Sequence, residues 1–156
     1  MDYREIKEYG RTGLNGAGDE VMEEMAELFM GAFNAPPWND SWSRETAEER
    51  LCMMLDGRAA WGFAAYEDGK MCALAVGCFE RYCERLVFNL REFCVKRSIK
   101  GMGRGTEFFR EMEKRLIKMG ACELTLNTLR GEETEGFYKK QGMKNDMALT
   151  AMAKKL

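Results

Sequence analysis

Residues 88–116, FNLREFCVKRSIKGMGRGTEFFREMEKRL, join a strand-like run to a glycine-rich turn and then directly to a helix. Gly101, Gly103 and Gly105 let the backbone turn sharply and leave its N–H groups uncovered, and the free N–H groups of the following helix point into the same space. That arrangement suits a phosphate or pyrophosphate, and Lys96, Arg97, Lys100 and Arg104 add positive potential around it. A plain strand-to-helix connection with surface lysines would use the same residues. Two standard phosphate loops do not fit. Thr106 follows Gly105 without the lysine of a Walker loop, and GxGxG is not the GxGxxG of a dinucleotide fingerprint. Upstream, strict alternation sets Phe88, Leu90, Glu92 and Cys94 on one face and Val87, Asn89, Arg91, Phe93 and Val95 on the other. A carboxylate among apolar neighbours is costly unless a site uses it or a base such as Arg91 or Arg97 pairs with it. The chain has no histidine. Ser-His, Cys-His and His-metal chemistry are therefore excluded, and no metal is expected.

These residues must be positioned by one domain, since 156 residues are too few for two ordinary ones. With 46% apolar and 32% charged residues the chain is globular rather than disordered. The longest apolar run, Met71 to Phe79, is too short to span a bilayer, and the charged start MDYREIKEYG does not read as a secretory signal. Six cysteines without a CxxC pair read as reduced residues of a cytoplasmic protein. Charge is uneven: residues 1–50 hold 5 Lys or Arg against 12 Asp or Glu, and residues 95–156 hold 14 against 8. The first half could thus attract a cation and the second an anion, or both could be solvated faces. The net charge of -2 and a pI near 5.5 argue against a nucleic-acid partner.

Periodicity predicts a polar first strand over 3–9, a loop over 11–18, and an amphipathic helix from Asp19, which serves as its cap. After the proline-containing NAPPWNDSWS, a second helix runs from Arg44 to Leu55. Strands over 59–66 and 71–79 flank Asp68-Gly69, a hairpin signal. A strand over 87–95, a helix from Thr106 to about Met119, a strand over 121–127, a short helix near 132–141 and a final strand near 145–152 complete the chain. The fold class is mixed α/β, with one sheet and helices on its faces.

Lys100-Gly101-Met102-Gly103-Arg104-Gly105 resembles the Gln/Arg-x-x-Gly-x-Gly/Ala signature of the GCN5-related N-acetyltransferase (GNAT) superfamily, with Lys100 in the place of Arg or Gln. LTLNTLRGEETEGFYKKQGMK resembles the family's later strand and helix, through Phe137, Tyr138, Gly142 and Met143. The resemblance extends over nearly the whole chain and is strongest from 87 to 144. It implies a mostly antiparallel twisted central sheet flanked by helices, filling residues 1–156. It also implies an enzyme that transfers the acetyl group of acetyl-CoA to a primary amine by direct attack. Phe93, Cys94 and Val95 would offer backbone groups to the pantetheine arm, and Lys100 to Thr106 would hold the pyrophosphate. Tyr138, on residues alone a core tyrosine, would protonate the departing thiolate. Many members carry an Asn where this chain has Gly131; Asn127 or Thr128 would supply that contact instead.

Without histidine, the base that frees the amine is a carboxylate or water, and Glu92 is the candidate because its apolar face should raise its pKa. Relatives usually bind the acceptor between the first helices and their connecting loop. Here Trp38 and Trp42 would wall that pocket, and Asp40, Glu45, Glu48 or Glu49 would attract a small cationic acceptor such as an aminoglycoside, polyamine or peptide amine. A non-catalytic acetyl-CoA sensor is the alternative on the same fold, and a homodimer would follow from an uncovered strand edge.

Overall fold

The computed structural model describes residues 1–6 and 18–156, so parts of the expected first strand (7–9) and nearly all of the expected loop (11–17) lie outside the described residues. Five strands form one sheet in chain order: β1 (Asp2–Ile6), β2 (Ala60–Glu67), β3 (Lys70–Tyr82), β4 (Arg85–Val95) and β5 (Glu123–Leu126). The first three pairings are antiparallel and the last, β4 with β5, is parallel. The Asp68-Gly69 turn joins β2 to β3 with both residues at positive φ, as a two-residue hairpin turn requires.

Helices α1 (Gly18–Phe33) and α2 (Arg44–Leu55) cover one face, and α3 (Arg104–Lys118) covers the other. α1 starts one residue before the expected cap. α2 has the expected bounds because Ser43 and Thr46 form a reciprocal capping box, with Ser43 Oγ accepting the Thr46 N–H at 3.2 Å. Ala47, Leu51 and Leu55 then face the sheet. α3 buries Phe108, Phe109, Met112 and Leu116, together worth on the order of 6–12 kcal/mol of apolar burial. α4 (Glu135–Lys140) is shorter than expected and packs Phe137 and Tyr138 on the same side as α3. No helix among the described residues is long and apolar enough to cross a membrane.

Two expectations need correction. Residues 145–152 form no strand: Met147 and Met152 are 90% exposed, and the Asp146 carboxylate accepts the Ala148 N–H at 2.8 Å, turning the chain. Among the described residues no strand pairs with that segment, and strand-like composition alone does not supply a ladder. The strict alternation of β4 also fails. Val76 pairs with Glu92 but Gly77 pairs with Leu90, so Arg91 is an extra residue in a β-bulge. Phe88 and Leu90 face α3, whereas Glu92 and Cys94 turn towards α1 and α2. The bulge depends on Gly77, because a Cβ there would collide with the Asn89 carbonyl oxygen and lie 2.6 Å from Phe88 Cζ.

Candidate active site

Beyond Leu90, β4 has β3 on one side and, among the described residues, no strand on the other, since β5 pairs only with Val87–Leu90. The outward backbone groups of Phe93–Val95 are therefore open to an extended guest. Behind them stands an aromatic wall: the Phe93 ring lies 5.7 Å from Phe137 and 6.3 Å from Tyr138, with Phe109 against both. The Tyr138 hydroxyl has no hydrogen-bond partner among the described residues. Its pKa is raised above the usual 10.0, first by burial and then by the nearby Cys94 and Glu92. It stays protonated and able to donate. Cys94 itself is buried, and burial pushes its thiol well up, so it is a poor nucleophile.

The glycine turn lies at the open end of β4. Gly101 and Gly103 both adopt φ of 77°, with nothing near where a Cβ would stand, and Gly103 caps α3. The first α3 hydrogen bond is donated by Glu107 to the Gly103 carbonyl at 3.0 Å. The amides of Arg104, Gly105 and Thr106 precede it and are free for an anion. Lys100 and Met102 are exposed beside them. The Arg104 side chain is occupied differently from the expectation: its guanidinium donates to Glu67 at 2.8 Å and to Glu107 at 3.1 Å, with Tyr3 donating to Glu107 at 2.9 Å. The Thr106 hydroxyl accepts from Gln141 at 3.2 Å, tying the loop to the end of α4. This open strand edge and anion cradle fit the acyl-CoA that the sequence implies.

On the α1–α2 side a cleft of about 300 Å³ brings together Trp38, Asp40, Trp42, Glu92 and Asn127. Asn34 clamps the backbone of Trp42 by two hydrogen bonds of 2.8 Å. That clamp sets the Trp42 ring edge-on to Phe29 at 5.2 Å and lets Trp42 Nε1 donate to Asp40 at 3.0 Å. Trp38 packs edge-on to Phe33 at 5.4 Å. Asn127, at the end of β5, also lines this cleft. Glu45, Glu48 and Glu49 do not line it.

Glu92 is buried at 9% exposure and does not stand alone. Arg50 of α2 donates to its Oε1 through Nε at 2.8 Å and Nη2 at 2.5 Å, while its guanidinium lies 5.8 Å from the Trp42 ring. Burial raises the Glu92 pKa and Arg50 partly opposes the shift. Both bonds fall on one oxygen, so Oε2 has no partner among the described residues. Arg50 escaped the sequence reading because it lies 42 residues from Glu92, and the readable pairing candidates were Arg91 and Arg97. Arg91, the bulge residue, sits exposed on the cleft rim. Two carboxylates and two guanidiniums leave the cleft without the acidic excess expected of it. Among the described residues no group of three His, Cys, Asp or Glu side chains is arranged to hold a metal ion.

A search of curated proteins finds no match to this sequence. Solved structures do share the fold. The aminoglycoside 6'-N-acetyltransferase AAC(6')-IG of Acinetobacter haemolyticus superposes with a TM-score of 0.71 at 15% identity, covering 100% of this chain and 99% of that one. The ribosomal-protein-alanine N-acetyltransferase of Brucella melitensis biovar Abortus 2308 gives 0.70 at 14% identity, over 97% and 98%. The aminoglycoside N-acetyltransferase AAC(6')-Iy in complex with CoA gives 0.69 at 14%, over 99% and 95%. The profile of the acetyltransferase (GNAT) family matches residues 22–143, from within α1 through the turn after α4. Sequence motif, sheet order and profile agree: the chain belongs to the acetyltransferase (GNAT) family and is an acyl-CoA-dependent N-acetyltransferase.

Proposed function

We propose that the protein moves the acetyl group of acetyl-CoA directly onto a small cationic amine seated between Trp38, Trp42 and Glu92. The observation that carries this reading is the cleft itself: one space holds two indoles, two carboxylates and the bulged part of β4 next to its open edge. Asp40 and Glu92 attract the protonated amine, and the indole faces suit its cationic or alkyl part. Glu92, with Oε2 free and its pKa raised, takes a proton from the ammonium. The neutral nitrogen then forms its bond to the thioester carbon as the carbon–sulfur bond breaks. Tyr138 supplies the proton that the departing thiolate needs, and the second proton lost by the acylated nitrogen passes through water to restore the tyrosine. Backbone N–H groups at Phe93–Val95 orient the acyl arm, and the Lys100–Thr106 loop fixes the pyrophosphate. Holding both reactants in line accounts for much of the rate, up to about 7–11 kcal/mol for well-oriented pairs.

Solved relatives support a small amine of the aminoglycoside, polyamine or peptide class: one is described in complex with sisomicin and another acts on a ribosomal-protein alanine. The guanidiniums of Arg50 and Arg91 offset the cleft carboxylates, which favours an acceptor of low positive charge over a long polycation. The six free thiols support a reducing, cytoplasmic setting. The test is direct loss of the thioester absorbance with acetyl-CoA and a panel of aminoglycosides, polyamines, amino acids and peptide N-termini. Turnover that falls in Trp42→Ala and in Glu92→Gln supports the reading. Saturable acetyl-CoA binding without turnover across the panel would replace it with the sensor.

A further inference from the structure

We infer that the amine acceptor also carries a carboxylate: the cleft between Trp38, Trp42 and Glu92 selects a small amino acid with an apolar side chain, and Arg91 holds its carboxylate. The inference rests on that cleft being the acceptor site, and it names the class of amine the cleft takes. Successive side chains of a regular strand point to opposite faces. Arg91 and Glu92 are sequence neighbours of opposite charge, yet both line this cleft, because the bulge opposite Val76 and Gly77 makes Arg91 the extra residue. Neighbouring Cα atoms are about 3.8 Å apart. An α-amino acid holds its ammonium and carboxylate together on the same scale, with one carbon between them.

The other charged groups of the cleft already have partners. Arg50 gives both its hydrogen bonds to Glu92 Oε1, and Asp40 accepts from Trp42 Nε1 at 3.0 Å. Arg91, exposed at the rim, has no hydrogen-bond or ion-pair partner among the described residues. It is nevertheless close to the chemistry: Asp40 and Arg91 both act on the Glu92 carboxyl, the first raising its pKa and the second lowering it. A guanidinium with its five N–H donors uncommitted is a ready fork for a carboxylate. The side-chain amides of Asn89 and Asn127 line the same cleft and are also unpartnered among the described residues, which adds donors beside Arg91. The inner wall is apolar, with Phe29 and Phe33 buried and the two indoles set edge-on against them. A volume of about 300 Å³ lies at the small end for ligand pockets and suits one amino acid better than an aminoglycoside. A polyamine or aminoglycoside would also bring a second ammonium against Arg91, which repels it.

The test is thioester loss from acetyl-CoA with matched acceptors: leucine against leucinamide and 3-methylbutylamine, phenylalanine against 2-phenylethylamine, with spermidine and kanamycin alongside. Leucinamide gives up its proton more readily than leucine, so a preference for leucine reports the carboxylate and not the basicity of the nitrogen. Leucine and phenylalanine should exceed their matched amines in kcat/KM by roughly 10–100-fold, mainly through KM. Arg91→Ala should erase that preference, Arg91→Lys should keep part of it, and Arg91→Glu should turn it towards 3-methylbutylamine. All three variants should melt with wild type, because Arg91 is exposed and unpartnered among the described residues. Equal or faster turnover of the plain amines, spermidine or kanamycin overturns this inference and leaves the acceptor reading of the cleft standing. A preference for the amino acids that survives both Arg91→Ala and Arg91→Glu also overturns it, since the carboxylate would then sit elsewhere. Saturable acetyl-CoA binding without turnover of any amine overturns the acceptor reading, and this inference with it.

Discussion

Adding one methyl group at Gly77 tests whether the bulge that aims Glu92 is built as described. The new Cβ would overlap the Asn89 carbonyl oxygen and lie 2.6 and 2.9 Å from two ring carbons of Phe88. Neither neighbour yields easily: the carbonyl belongs to the β4 backbone, and Phe88 is fully buried. Overpacking typically costs about 1–3 kcal/mol, and with backbone as the obstacle the upper end applies, about 3 kcal/mol. For a chain of this length that lowers Tm by about 6–12 °C. The same change at Gly31, exposed on α1 with nothing within 4 Å of its Cβ, should instead stabilise by about 0.5–1 kcal/mol. Thermal unfolding monitored by circular dichroism gives both values. Steady-state kinetics on the surviving Gly77→Ala protein should show a lowered kcat at unchanged fold content, because Glu92 and Arg50 no longer meet squarely. A Gly77→Ala protein melting with wild type would refute the packing argument. Equal losses at Gly77 and Gly31 would show that alanine is simply unwelcome.

Tyr138→Phe should lower kcat by about 100-fold or more with KM for acetyl-CoA unchanged, as expected for loss of a general acid; an equal rate would make Tyr138 a packing residue. Arg50→Met removes the counter-charge of Glu92. Because Arg50 is 43% exposed and screened by solvent, the stability loss should be about 1–2 kcal/mol rather than the 3–5 of a fully buried pair. With burial unopposed the Glu92 pKa rises further. The acid limb of kcat/KM then moves to higher pH, and the stability deficit is larger at neutral pH than in acid, where Glu92 is protonated. Glu92→Gln should abolish that pH dependence, and a limb that stays in place would assign it to another group. Gly103→Ala forces a side chain into φ of 77°, costing about 1–2 kcal/mol, and should raise KM for acetyl-CoA several-fold with little change in kcat; titration calorimetry with CoA measures the same loss directly.

Whatever depended on neighbours in the chain was legible in the sequence. The α2 bounds came from the proline-containing loop and the apolar spacing that follows it, the hairpin from Asp68-Gly69, α3 from its apolar stripe, and the anion cradle from three alternating glycines. Trp38, Asp40 and Trp42 could be named because they share one short loop, although only folding showed that Asn34 clamps it against Phe29 and Phe33.

Features that escaped the sequence depended on partners far along the chain. A strand alternates on paper, and only its pairing with β3 at Gly77 reveals the extra residue that turns Glu92 to the other face. Arg50 reaches Glu92, and Arg104 reaches Glu67, across 42 and 37 residues, so no local spacing announces either ion pair. The last segment, expected as a strand, pairs with no strand among the described residues, because the Asp146 carboxylate turns the chain at Ala148. Local propensity and turn chemistry determined the elements and the glycine loop. The tertiary structure alone decided which side chains meet, because burial, register and charge pairing are properties of the assembled sheet and its covering helices.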